Sequence, residues 1–91
     1  MLAISQVANT TTNVYTCPTG YTAFIYVDVS SNDGNSANIS ISIGNGTTFY
    51  TYWMGSTNFV SLKLILTAGD IVQVNTTSTV NVFVHGQQIN S

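Results

Sequence analysis

Leu-Lys-Leu-Ile-Leu-Thr-Ala-Gly-Asp-Ile-Val-Gln-Val, residues 62–74, is the stretch whose reading decides the fold. Leu62, Leu64 and Leu66 share one phase of a period-two alternation, and Val72 and Val74 take it up again after a break. The pattern predicts a β-hairpin with one buried face. Thr67 to Asp70 supply its turn, with Gly69 where a type II turn requires positive φ, and Asp70 placed to cap the turn through backbone amides. The same phase logic puts Leu62, Leu64, Leu66, Val72, Val74, Val80, Val82 and Val84 in one core with Ile25, Val27, Ile39 and Ile41.

Working outward from this anchor, the rest of the chain reads as further short strands. Leu2 to Val7 lacks the regularity of an interior strand and is expected as an N-terminal arm or edge strand. A polar run to Asn13 tethers it, so residues 1–13 form an arm and 14–91 the folded domain. Val14 to Cys17 is a strand stopped by Pro18. Tyr21 to Ser30 has Tyr21, Ala23, Ile25, Val27 and Val29 on one face and Thr22, Phe24, Tyr26 and Asp28 on the other. Either another subunit or a long loop of the same chain must cover Phe24 and Tyr26. Ser31 to Ser36 is a turn, and Ile39, Ile41 and Ile43 alternate with Ser40 and Ser42 up to Gly44. Phe49, Tyr50, Tyr52, Trp53 and Met54 then bring more apolar surface than one strand face can bury, so part of it lies at a boundary. Gly86 to Ser91 reads as a polar tail anchored by Ile89. Six to eight strands, regular turns and no helical periodicity predict an all-β, single-domain, antiparallel β-sandwich of jelly-roll type.

Composition narrows the function. The 91 residues are 44% hydrophobic but only 4% charged, with a net charge of −2, against about 25% charged in an ordinary soluble domain. So little charge gives copies little mutual repulsion and suits an assembly. Lys63 is the only basic residue besides His85, which argues against nucleic acid and against anionic membrane surfaces as partners. No apolar run approaches the ~20 residues of a membrane-spanning helix. Met1 to Ala8 lacks the basic start and apolar middle of a signal peptide, so cytoplasmic synthesis is expected.

Candidate chemistry fails on residue types. One His, one Cys and the acids Asp28, Asp33 and Asp70 are spread over separate elements, so neither a hydrolytic triad nor a glycosidase pair is expected. Cys17 reads as a small buried thiol. The Ser31–Ser36 turn lacks the alternating ligands and terminal Glu of a calcium loop, and no zinc-ligand spacing exists. Sequons at Asn9, Asn38, Asn45 and Asn75 follow from a chain rich in Asn, Ser and Thr. No catalytic residue, metal or cofactor is expected.

Val-Tyr-Thr-Cys-Pro-Thr-Gly-Tyr-Thr-Ala (14–23) and Leu-Ile-Leu-Thr-Ala-Gly-Asp-Ile-Val-Gln-Val (64–74) together resemble small virion proteins of tailed bacteriophages. Leu2 to Val7 is similar to the arm of that group, Tyr15 to Gly20 and Leu66 to Asp70 to its turns, and Phe83 to Gly86 to its closing segment. Gln87 and Gln88 stand where such proteins often carry an acid, and Cys17 where they have Val. The resemblance implies a non-enzymatic β-sandwich subunit located in the virion. The expected role is a capsid decoration (cement) protein that stabilises contacts between capsomers. Its expected partners are itself, as a homotrimer, and the major capsid protein or another virion protein. A tail, baseplate or fibre subunit touching host glycan through its aromatics is the alternative. The expected interface residues are Leu2, Ile4, Val7, Phe24, Tyr26, Tyr50, Tyr52, Trp53 and Phe83.

Overall fold

A computed structural model describes residues 1–91. Eight strands and no helix make up the chain: β1 (Ala3–Ala8), β2 (Thr11–Thr16), β3 (Tyr21–Ser31), β4 (Ala37–Asn45), β5 (Thr48–Thr57), β6 (Phe59–Leu66), β7 (Asp70–Thr76) and β8 (Thr79–Asn90). They form two four-stranded antiparallel sheets. Sheet A has the order β1-β8-β3-β6 and sheet B the order β2-β7-β4-β5, the interleaving of an eight-stranded jelly roll.

Every one of the expected core residues faces the space between the sheets. Ile25, Val27, Ile39, Ile41, Leu64, Leu66, Val72, Val74, Val80, Val82 and Val84 are buried, and Leu62 packs half-buried against them. Strand phase therefore reads correctly, but strand pairing does not. β6 pairs with β3 and β7 with β2 and β4, so residues 62–74 form an arch between sheets and not a hairpin. Hairpin and arch carry the same alternation, because in one the apolar side chains share a face and in the other they meet across the core. Four turn residues can climb the ~10 Å between packed sheets. Asp70 N donates to Thr67 O at 3.0 Å and Gly69 has φ +86°, the conformation a type II turn requires. Thr67 N donates to Asp70 Oδ2 at 2.9 Å, so Asp70 does cap its turn. The arch docks on the end of β2, where Cys17 N donates to Asp70 O and Gly69 N to Cys17 O, each at 2.9 Å.

Both chain ends are more ordered than their composition suggests. Residues 1–13, expected as arm and tether, contain the edge strand β1 and the first half of β2, so the sandwich takes in residues 3–90. β1 is held by backbone bonds to β8, which irregular side-chain pattern does not prevent. The segment expected as a polar tail continues β8 to Asn90 along the first half of β3. Tyr15 OH donates to Gln88 Oε1 at 2.6 Å, joining β2 of one sheet to β8 of the other. Gly86 sits opposite Ile25 with φ +143°, and a Cβ there would lie 2.1 Å from Phe24 O. No helix is long and apolar enough to cross a membrane.

Candidate assembly surfaces

The two outer faces of the sandwich differ in chemistry. On sheet B, β4 and β7 present Asn38, Ser40, Ser42, Gln73 and Asn75, none of them charged. A shallow depression of about 390 Å³ lies there, lined by Asn38, Ser40, Met54, Gly55, Ser56 and Asn75 among others. It holds no acid, base or thiol. On sheet A the register places Ile4 beside Phe83, and Phe24 beside Ile65. Tyr26, one step along β3, stacks on His85 with ring centroids 5.5 Å apart. Two apolar groups thus lie on this face, Ile4 with Phe83 on β1 and β8 and Tyr26, Phe24 and Ile65 on β3 and β6, and the contact between Asp28 and His85 runs between them. Ile4 is 66% and Ile65 63% exposed, and Phe24 and Tyr26 are 42% and 44% exposed. No loop of this chain covers the two aromatics of β3.

Further exposed apolar side chains lie on both faces of β5, where Tyr50 stands opposite the inward-facing Ile43 and Met54 opposite the outward-facing Ser40. This edge strand pairs only with β4, and no residue of its ten is buried. Tyr50 is 72%, Tyr52 57% and Met54 70% exposed. A register shift between Ile41 and Ser42 leaves Tyr52 without a partner on β4, and the resulting bulge bends the strand. Edge strands of monomeric proteins are commonly blunted by lysine, proline or other charge. β5 contains none of these.

Polar groups separate the two apolar groups of sheet A. Asp28 accepts from the Ser61 hydroxyl at one oxygen, and its other oxygen lies 2.8 Å from His85 Nε2. Burial acts to raise the Asp28 pKa, but hydrogen bonds from Ser61 and His85 and the nearby imidazole outweigh it and hold the carboxyl below its ordinary range. Ser, His and Asp thus meet, but in an order that does no nucleophilic chemistry: the serine donates to the carboxylate, and the imidazole that would serve as base faces the same carboxylate. Cys17 is buried, with its Sγ 3.4 Å from Tyr21 O, and burial pushes its thiol pKa up, the opposite of an activated nucleophile. Asp33 accepts from Ser31 Oγ and Asn35 N, both at 2.9 Å. The Asn35 amide, ahead of Ser31, holds its carboxyl down. Asp70 lies at the other end of β3, in the arch. No three His, Cys, Asp or Glu side chains cluster as metal ligands.

Of the interface residues expected from sequence, Ile4, Phe24, Tyr26, Tyr50 and Tyr52 are exposed, and Phe83 is half-buried beside Ile4. Leu2 and Trp53 are half-buried against the core. Val7 is wholly buried and belongs to the core, because β1 lies in the sheet and turns it inward. Met54, counted in the group expected at a boundary, is exposed as well, and sequence reasoning missed Phe59, Ile65 and Ile89, all exposed. For Ile65 the signal was present, since it stands one residue out of phase with the buried Leu64 and Leu66.

No family model matches the chain, and no curated protein matches it in sequence. Solved structures do. Two are described as pentameric capsid proteins isolated from metagenomic phage sequences, 19% and 20% identical to this chain. Each match covers 100% of this chain, and 74% and 68% of those chains, with TM-scores of 0.55 and 0.53. The likeness shows that this chain shares the fold of those proteins.

Proposed function

We propose that the chain is a non-enzymatic structural subunit of a bacteriophage virion, a decoration or cement protein that associates with itself and with the major capsid protein to stabilise contacts between capsomers. One observation carries the reading: large apolar side chains lie exposed on both sheets of a domain that has almost no charge to keep copies apart. Patches of this kind mark contact sites with other proteins. The shared fold with phage capsid proteins supports placing those contacts in a virion. Their pentameric state favours a five-membered ring over the trimer expected from sequence. The work is done by burial, and the three acids, His85 and Cys17 are used in turns, a surface network or the core.

Mass spectrometry and immunogold labelling of separated heads and tails test the location. Heads assembled without the chain should lose their DNA at lower temperature than heads that carry it. Absence from heads, or unchanged thermal release, would overturn the cement role. The exposed pair Tyr50 and Tyr52 on the edge strand β5 favours one second reading, a tail or fibre subunit that stacks on host glycan. Labelling of tails alone, with glycan binding lost in Tyr52→Ser, would support it.

A further inference from the structure

Asn45 and Gly46 form the one Asn-Gly pair in the chain, since every other asparagine is followed by a residue with a side chain. The fold sets this pair at the exposed turn between β4 and β5. Asn45 ends β4 and pairs with Thr48, which leaves Gly46 and Thr47 as a two-residue loop. Gly46 has φ +87° while Thr47 keeps a negative φ, the arrangement of a type II′ hairpin turn. The Gly46 N–H donates to no backbone carbonyl, and nothing lies within 4 Å of where a Cβ would stand on Gly46. An uncrowded amide nitrogen in water thus directly follows a side-chain amide.

That side chain has a structural task. Asn45 Nδ2 donates to Asp70 Oδ1 at 3.0 Å and to Ala68 O at 3.4 Å, so it ties the tip of the β4–β5 hairpin to the arch. The bond from Asn45, ahead of those from Thr67, holds the Asp70 carboxyl below its ordinary range. Thr67 N and Oγ1 both donate to the other oxygen, Oδ2. The turn of the arch therefore keeps its cap whatever happens at Asn45.

We propose that Asn45 is a site of spontaneous deamidation, and that its conversion to a carboxylate severs the tie between hairpin and arch. The Gly46 nitrogen gives its proton to solvent and attacks Asn45 Cγ. The bond from Cγ to Nδ2 breaks, a proton returns from solvent to Nδ2, and ammonia leaves. Water then opens the succinimide ring at one of its two carbonyls, giving aspartate or isoaspartate. No electrons are exchanged, and water is the only co-reactant. Either product removes the donor at Nδ2 and sets a second negative charge against Asp70, where like charges repel. The inference is independent of the virion reading above.

Ageing the folded protein tests the site. Wild-type chain is held in mildly alkaline buffer, digested with pepsin and mapped by mass spectrometry, with isoaspartate scored by an isoaspartyl methyltransferase. Modification should accumulate at Asn45 ahead of every other asparagine, as a mixture of aspartate and isoaspartate. Asn45→Asp supplies one product directly, and circular dichroism checks its fold. Backbone amides of residues 67–70 should exchange at least ~3-fold faster in that variant than in wild type. The Asp70 carboxyl, followed by NMR titration, should move up toward its ordinary range. Aged wild-type chain should show the same gain in exchange, a reading that does not depend on the variant. Modification confined to urea-unfolded chain, or spread over the asparagines without preference for Asn45, overturns the site. Unchanged exchange at residues 67–70 in the modified folded chain overturns its consequence.

Discussion

Gly86→Ala should be among the most damaging single-atom additions this fold can suffer. The new Cβ would lie 2.1 Å from Phe24 O and 2.8 Å from Ile25 Cα, both backbone atoms of the central strand β3. Restoring a tolerable 3.0 Å separation moves that carbonyl back by about 0.9 Å. Such a shift loosens one or two ladder bonds between β8 and β3, each worth about 1 kcal/mol. The residue would also be held at φ +143°, where strain costs about 1–3 kcal/mol without glycine. Together these give about 2–5 kcal/mol, a large share of the ~5–14 kcal/mol expected for a domain of this length. Gly69→Ala is the control. It has φ +86°, but its Cβ would meet only the Asn45 side-chain amide at 3.1 Å, which can turn away, so about 1–2 kcal/mol is expected. Urea unfolding followed by the fluorescence of Trp53, with all chains at one concentration, measures both. If the two variants fall within about 1 kcal/mol of each other, the close approach of β8 to β3 is not what demands glycine.

Further outcomes follow from single contacts. Leu64→Ala should cost about 2–5 kcal/mol in the same assay, as a cavity opens between the sheets. Tyr15→Phe removes the bond to Gln88; it should cost about 0.5–1.5 kcal/mol and speed amide exchange in residues 87–90 more than elsewhere. Cys17 should resist alkylation in the folded chain, with labelling appearing only as the domain unfolds. Asp28, Asp33 and Asp70 all have carboxyls held below their ordinary 3.8. The unfolded chain therefore takes up protons first, and stability present above that value should fall as pH drops through and below it. Asp28→Asn should flatten that slope in an acid titration; an unchanged slope would mean the Ser61 and His85 contacts do not bias its protonation.

Alternation told which side of each strand faces the core, and Ile25, Ile41, Val74 and Val82 all obey it. It could not tell which sheet a strand joins, because Leu64 and Val72 keep the same phase whether they lie side by side or meet across the core. That ambiguity hid the arch behind a predicted hairpin. Val7 and the segment after Gly86 were misplaced for a related reason: backbone bonds to a neighbouring strand order them, and those bonds leave little mark on side-chain pattern. The assembly surfaces were partly legible. Phe24 and Tyr26 stood out as a second apolar face, whereas Trp53 and Tyr52 could not be separated without the bulge that turns one toward the core and leaves the other unpaired.

The strand order also dictates when this protein can acquire its structure during synthesis. β4 and β5 are the only consecutive strands that share a sheet. β8 lies between β1 and β3 and bonds to both. Until residue 90 has left the ribosome, sheet A is two separate fragments, and the interior side chains of sheet B have only half a cover. Pairings so distant along the chain also make for slow folding. The nascent subunit therefore presents no finished surface to other copies until β8 has emerged, and assembly must wait for that last strand.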